Sequence, residues 1–372
     1  ILMPGGIYVH FPFCFSKCDY CSFYSVSNAD SSDLNRYYEA LLRDIEYSAS
    51  LYSGKSFDTV YFGGGTPLSM GIALLKKISD KIFSSFRIES GYEFTVECNP
   101  SSTSIDDFKM LFDFGCSRVS VGVQSLDEKI NKFLGRKYVP PDNVIKLLNC
   151  SILDISADII AGVSNIDRES VLSSIDILSE TNADHISVYM LSVEEGTPLY
   201  SRFTDSDKYD LEQKNIFQSV INRLKDKSYA HYEVSNFARN GKVSRHNMKY
   251  WTWQDYLGLG AASHSFIDGR RWHKEDDFRS YSLNPSNVIY DERSAASAVA
   301  EYIMTGLRLA DGISIDNMKR IFGEAIPPSF FERLRSAADS GRIEIKSGDV
   351  ISAFNNIYFL NDTIYYLTEN LI

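Results

Sequence analysis

Ile7-Tyr8-Val9-His10-Phe11-Pro12-Phe13-Cys14, continued through Cys18 to Cys21, is the stretch on which the reading of this chain turns. The run Ile7 to His10 has the short, nearly continuous apolar character of a buried parallel strand, and Pro12 after it disfavours a regular helix. The C-x3-C-x2-C spacing begins directly afterwards, with Ser16 and Asp19 favouring a wrapped loop over a regular helix. Seven residue steps reach about 24 Å when extended, so a loop folded inward brings Cys14, Cys18 and Cys21 to one inorganic centre. Iron–sulfur clusters are held by cysteine thiolates, and three ligands on a four-iron cubane leave one iron open. Two other readings use the same residues. Positions i, i+4 and i+7 would also suit the buried face of a helix, and His10 would complete a Cys3His set for structural zinc.

Outward from this stretch, short apolar runs alternate with segments of helical period as far as about Tyr232. The predicted strands are Ile7 to His10, Thr59 to Phe62, Phe94 to Cys98, Arg118 to Val123, Ala157 to Ile160 and His185 to Met190. Helices are predicted at Leu34 to Ser50, capped by Ser32 or Asp33, and at Ile72 to Phe83, Ile105 to Phe114, Val144 to Leu148, Val171 to Ser179 and Tyr209 to Leu224. Six βα units make a parallel sheet, open or barrel-like, whose ligand face lies at the C-terminal ends of the strands. The most unusual local sequences fall just after those ends.

Beyond about Asn236 the βα alternation stops, Trp251, Trp253 and Trp272 appear in irregular sequence, and a helical stretch begins near Ala295. A helix over Phe330 to Ala338, followed by short strands at Arg342 to Lys346, Val350 to Ala353 and Thr363 to Leu367, predicts a winged-helix-like end. The expected architecture is α/β: a partial (β/α)6 TIM-like barrel over 1–235, a connector over 236–290 and a small winged-helix-like α+β domain over 291–372.

The composition narrows the function. A chain of 372 residues with 44% hydrophobic and 13% aromatic residues can bury a large core. Its net charge of −11 opposes nucleic-acid binding, which relies on Lys and Arg replacing phosphate counterions. No run approaches the roughly 18 apolar residues of a membrane span. The opening Ile1-Leu-Met-Pro-Gly-Gly has no basic segment and long apolar run of a secretory signal, so the cytoplasm is the expected compartment, and a start at Ile1 suggests a native start further upstream. Six cysteines, three of them clustered, indicate a metal site and not a disulfide scaffold.

Gly63-Gly64-Gly65-Thr66-Pro67 follows the second strand. Consecutive glycines let the backbone approach a polar ligand closely, but the run is neither G-x4-G-K-[ST] nor G-x-G-x-x-G, which disfavours a nucleoside triphosphate. With the cysteine loop, this run resembles the radical S-adenosylmethionine superfamily. In that family a C-x3-C-x2-C loop holds a 4Fe-4S cluster, the amino and carboxylate groups of S-adenosylmethionine chelate the open iron, and a G-G-G-T-P run contacts its methionyl part. Tyr8-x-His10-x-Pro12-Phe13-Cys14, Glu97-Cys-Asn99-Pro100 and Gly122-Val-Gln124-Ser125 are similar to one branch, which contains the oxygen-independent coproporphyrinogen III dehydrogenases and the HemW-type haem chaperones. The resemblance implies that Tyr8, Gly64, Gly65, Thr66, Glu97, Gln124, Arg136 and Asp158 contact S-adenosylmethionine. Two places depart from the branch: Tyr138 stands where a histidine is expected, and Ala161-Gly-Val-Ser164 replaces G-L-P-G.

Three features incline the resemblance toward the chaperones. Phe23 occupies the position of a fourth cysteine, only thirteen residues precede Cys14, and His246-Asn247-Met-Lys-Tyr250-Trp251 looks like H-N-x-x-Y-W. This implies a protein that carries haem to haem-accepting proteins, respiratory ones among them, with a homodimer left open. His246 could ligate haem iron and Tyr250 and Trp251 could stack on the porphyrin, with Asn247 and His10 as further contacts, and His264 and Arg308 more remote ones. Equally, the segment could be a packing corner. The alternatives are coproporphyrinogen III oxidative decarboxylation and the structural zinc protein.

Overall fold

The computed structural model describes residues 3–163, 167–202 and 207–371. Ser164 therefore lies outside the described residues. The six expected strands form β1 (Gly5–Phe11), β2 (Ser56–Gly64), β3 (Arg87–Cys98), β4 (Arg118–Gln124), β5 (Asp154–Ala161) and β6 (His185–Met190). They pair in sequence order and in parallel. All but β6 carry more residues than their apolar runs suggest, because ladder hydrogen bonds extend past the buried segment. The crossovers are α1 (Ser31–Leu51), α2 (Ile72–Ser85), α3 (Ile105–Asp113), α4 (Glu128–Phe133), α5 (Pro141–Leu148), α6 (Asp167–Ser179) and α7 (Asp207–Asp226). Asp30, not Ser32 or Asp33, caps α1: its carboxylate accepts from the backbone N–H groups of both.

The stretch after 230 builds sheet where none was expected. β7 (Ala230–Glu233) and β8 (Asn236–Ala238) add antiparallel strands beyond β6. After α8 (Arg245–Trp251), β9 (Tyr256–Leu259) lies parallel to β1 on its other side. The hairpin of β10 (His264–Ile267) and β11 (Arg270–His273) follows, then α9 (Phe278–Leu283) and the edge strand β12 (Ile289–Tyr290). The result is one twelve-stranded sheet, β12-β11-β10-β9-β1-β2-β3-β4-β5-β6-β8-β7, whose six central parallel strands form the partial barrel.

This added sheet is bound to the barrel by buried polar contacts. Tyr37 on α1 donates its hydroxyl to the His10 carbonyl at 2.6 Å and accepts from the Ala261 N–H at 3.2 Å. Asp44 pairs with Lys274 at 2.8 Å and accepts from the Tyr281 hydroxyl and the Gly260 N–H. Both ions are buried, so the Lys274 ammonium's further bond to the Pro285 carbonyl matters for its solvation. Tyr37→Phe is expected to cost about 1–3 kcal/mol, because it leaves a buried carbonyl and a buried N–H without a partner. Urea unfolding measures this, and an unchanged midpoint would refute the coupling.

The C-terminal part has its own core. It comprises α10 (Ala295–Gly306), β13 (Ile313–Ser314), α11 (Ile315–Phe322), α12 (Pro328–Asp339), β14 (Glu344–Lys346), β15 (Val350–Ser352) and α13 (Leu360–Thr368). The three strands pair antiparallel in the order β13-β15-β14. The expected strand at Thr363 to Leu367 is instead helical. Leu360, Thr363, Ile364 and Leu367 are buried at the i, i+3, i+4, i+7 spacing of a helix face, a period that a five-residue window does not reveal.

Candidate cofactor site at the mouth of the barrel

The cysteine loop leaves β1 at Phe11 and is held in place by backbone contacts. Cys14 N–H donates to the Val26 carbonyl at 3.0 Å and Val26 N–H donates to the Pro12 carbonyl at 2.8 Å, closing the loop at its neck. The glycine run supports it from β2. Gly65 N–H donates to the Phe11 carbonyl and Thr66 N–H to the Phe13 carbonyl, both at 2.8 Å. A Cβ on Gly65 would stand 2.5 Å from the Phe13 carbonyl oxygen and 2.8 Å from that of Phe11, closer than any side chain tolerates. Thus the glycines serve the loop's backbone at least as directly as they serve a ligand.

Cys14, Cys18 and Cys21 open together into a cavity of about 400 Å³. Gly64, Gly65, Thr66, Glu97, Gln124, Arg136 and Asp158 line the same cavity. The structure therefore brings together seven of the eight residues expected to contact S-adenosylmethionine with the three expected cluster ligands. Tyr8 stands apart, beneath the cavity, with its hydroxyl 3.0 Å from His10 Nδ1 and its ring stacked on Tyr61. Tyr61, Ser120, Tyr189 and Tyr20 also line the cavity and were not singled out by sequence. Strand register could have found Ser120, since it lies opposite Glu97 and Ser156 in the ladders.

The electrostatics of the cavity fit an iron–sulfur centre and an aminated ligand. Burial raises the Cys14 and Cys21 thiols above their ordinary range, and the neighbouring cysteines add to the rise. Thiols this close resist joint ionisation until a metal centre neutralises them. The Arg136 guanidinium reaches within 3.7 Å of Cys18 Sγ while it donates to the Gly122 carbonyl at 2.6 Å. Glu97 accepts from the Tyr61 hydroxyl at 2.8 Å and the Gly64 N–H at 3.1 Å. Burial, with Asp158 adding negative charge, pushes its pKa up to about 7. Asp158 accepts from the hydroxyls of Ser120 and Ser187 at 2.7 Å and Ser156 at 3.2 Å, and burial raises its pKa as well. Two buried carboxyls held by neutral donors suit the N–H groups of an amine and ribose hydroxyls.

Zinc fits less well. Both ring nitrogens of His10 face other groups, Nδ1 the Tyr8 hydroxyl and Nε2 the Tyr24 carbonyl at 3.3 Å. Among the described residues no three His, Cys, Asp or Glu side chains gather as a single-ion site. A tetrahedral zinc needs that convergence, whereas a cubane takes its thiolates on separate irons.

The H-N-x-x-Y-W segment lies elsewhere. His246 is buried against β2 and β3, its Nδ1 2.8 Å from Thr59 Oγ1 and its Nε2 2.9 Å from the Tyr250 hydroxyl, and its N–H donates to Glu93. Its ring stacks on Tyr61 with centroids 5.1 Å apart. Asn247 N–H donates to the Ser244 hydroxyl that caps α8. Tyr250 packs edge-on against Tyr256, and the Arg308 guanidinium lies 5.9 Å from the Trp251 ring. This is the geometry of the packing corner, and iron ligation by His246 would break one of its two ring contacts. Burial, with the Lys249 charge adding, holds the His246 pKa down to about 3. The unfolded chain protonates this histidine below about pH 6.5 and the folded chain does not, so its stabilising contribution is present above pH 6.5 and is lost as pH falls. The stability difference between wild type and His246→Gln should therefore shrink by up to about 1.4 kcal/mol per pH unit between pH 6 and 4.5. Paired urea titrations measure it; a difference independent of pH would contradict the buried, neutral imidazole.

The comparisons agree with this geometry. Residues 8–178 match the model of the Radical SAM superfamily, and the cofactors that go with it are a 4Fe-4S cluster and S-adenosylmethionine. It is 31% identical to the "Heme chaperone HemW" of Mycobacterium tuberculosis (strain CDC 1551 / Oshkosh) over 84% of each chain. It is 30% identical to that of Escherichia coli (strain K12) over 72% of each. The chain belongs to the HemW family. Its fold superposes on the coproporphyrinogen III oxidase HemN of Escherichia coli with a TM-score of 0.85, at 18% identity, over 99% of this chain and 91% of that one.

Proposed function

We propose that this protein binds haem and hands it to haem-accepting proteins. The observation that carries the reading is similarity to proteins named haem chaperones over nearly the whole chain, 89% of it for the relative from Buchnera aphidicola subsp. Acyrthosiphon pisum (strain APS). Phe23, two residues past the cysteine loop and largely exposed, supports the same branch, since a cysteine there would belong to the dehydrogenases. In this reading Cys14, Cys18 and Cys21 hold the cluster. Gly64, Gly65 and Thr66 present backbone to the methionyl part of S-adenosylmethionine, Glu97 takes its amino group, Arg136 its carboxylate, and Gln124 and Asp158 its polar edges. Bound there, the cluster supplies one-electron chemistry and a site that tunes the protein's state or cargo release. Tyr8 acts through the aromatic floor.

The division of labour follows 1–235 for the cofactors, 236–290 for the connecting sheet and 291–372 for the terminal domain. We extend the reading to a cytoplasmic protein that serves respiratory haem proteins among others and assembles as a homodimer. No described helix is long and apolar enough to cross a membrane. The test is made on one anaerobically reconstituted preparation. Stoichiometric hemin uptake, transfer to an apo-haem protein and no conversion of coproporphyrinogen support the proposal. Decarboxylated product, or no hemin uptake, overturns it, and sedimentation of the purified chain decides its assembly.

A further inference from the structure

The hairpin β10–β11 and the edge strand β12 carry a polar arrangement that the cofactor cavity does not use. His264 and His273 are directly opposed in the antiparallel ladder, and Ile289 is opposed to His273 on the next strand. Directly opposed residues share a face, so Ile289, His273 and His264 form a row across three strands. His264 is exposed, His273 is about a quarter exposed and Ile289 is 40% exposed. His273 Nδ1 lies 3.3 Å from Asp291 Oδ1. A carboxylate only accepts, so in the neutral imidazole this contact favours the proton on Nδ1 and the lone pair on Nε2. A carboxylate behind an imidazole is the usual support of a metal-ligating histidine, because it fixes the tautomer and raises the basicity of the other nitrogen.

We propose that His273 Nε2 is an axial ligand for haem iron on this outer face, with Asp291 as the positioning residue behind it and Ile289 as apolar support for the macrocycle. The inference rests on the haem-cargo reading above and assigns its place. Haem suits the geometry where a bare ion does not: the four pyrrole nitrogens already hold the iron, so a single protein donor suffices. The two imidazoles face each other with centroids 5.2 Å apart and planes 28° apart. Donors on opposite sides of one iron must point end-on at each other through the metal, which face-to-face rings do not. The assignment is therefore a single histidine ligand with the opposite iron face open. One ligand on a solvent-facing sheet suits a cargo that must leave.

The test is hemin titration of the full-length, cluster-reconstituted protein, followed by Soret spectroscopy and, after reduction, by resonance Raman of the iron–histidine stretch. Wild type should take up hemin with a histidine-ligated spectrum. His273→Ala should bind at least tenfold more weakly and lose that spectrum, with added imidazole restoring it, while iron and sulfide contents remain those of wild type. His264→Ala should keep the histidine-ligated spectrum. Asp291→Asn should keep stoichiometry but lower the iron–histidine stretching frequency. Hemin uptake with an unaltered spectrum in His273→Ala overturns this site and leaves the cargo reading standing. Absence of uptake by wild type overturns the cargo reading itself.

Discussion

Gly65→Ala should empty the cluster site while leaving the barrel folded. The added methyl would meet two backbone carbonyl oxygens, those of Phe13 and Phe11, and neither is the flexible end of a side chain. Relief therefore requires the cysteine loop to move off β2, with loss of the hydrogen bonds that Gly65 and Thr66 donate to it. Overpacking of this kind costs about 1–3 kcal/mol, and the movement falls on the segment that carries Cys14, Cys18 and Cys21. Reconstituted iron should drop from about four atoms per chain to well below one, with an unchanged far-ultraviolet circular dichroism spectrum. Gly54→Ala is the matched control, because nothing lies within 4 Å of the Cβ it would add. Full iron and sulfide in Gly65→Ala would show that the glycine run does not brace the loop.

The second large effect concerns Glu97. Its pKa near 7 means that the empty cavity carries a largely neutral carboxyl in acid and a charged one in base. An amino group bound there favours the charged form, so affinity for S-adenosylmethionine should rise with pH through about 7 and, at about pH 6, be roughly tenfold weaker than its alkaline limit. Glu97→Gln removes the charge and keeps the shape. Removal of one partner of a buried charged contact costs about 2–4 kcal/mol, or a loss of about 30- to 1,000-fold in affinity at pH 8. It should also flatten this part of the pH profile. Calorimetric titration on reconstituted protein measures both. An unchanged affinity would remove Glu97 from the proposed binding set.

The barrel was legible in the sequence because its strands are buried on both faces and stand out as apolar runs between helical periods. β6 has the bounds expected of it, and positions at or just after the ends of β1, β2, β3, β4 and β6 do line the cavity. What escaped notice lacks that signature. β9 has four residues, one of them Gly258, whose missing side chain lets the His264 backbone pass against it. A strand so short shows no alternation, and its partner β1 lies about 250 positions away in the sequence. The cysteines, glycines and Glu97 were legible because their chemistry is local. Tyr61 and Tyr189 were not, since an inward-facing tyrosine on a strand looks like ordinary core until its neighbours are known. His246 shows the converse: a conspicuous local pattern whose histidine the fold spends on packing.

The pairing of β9 with β1 also sets an order of events during synthesis. The cysteine loop leaves the ribosome long before residues 256–261, yet one flank of its strand, and the Tyr37 hydroxyl that grips the His10 carbonyl, find their last partners only when those residues have emerged. Contacts so distant along the chain form late. Until then the nascent thiols stand on an unfinished strand edge, so delivery of iron and sulfide is a task for a polypeptide already extended past residue 261.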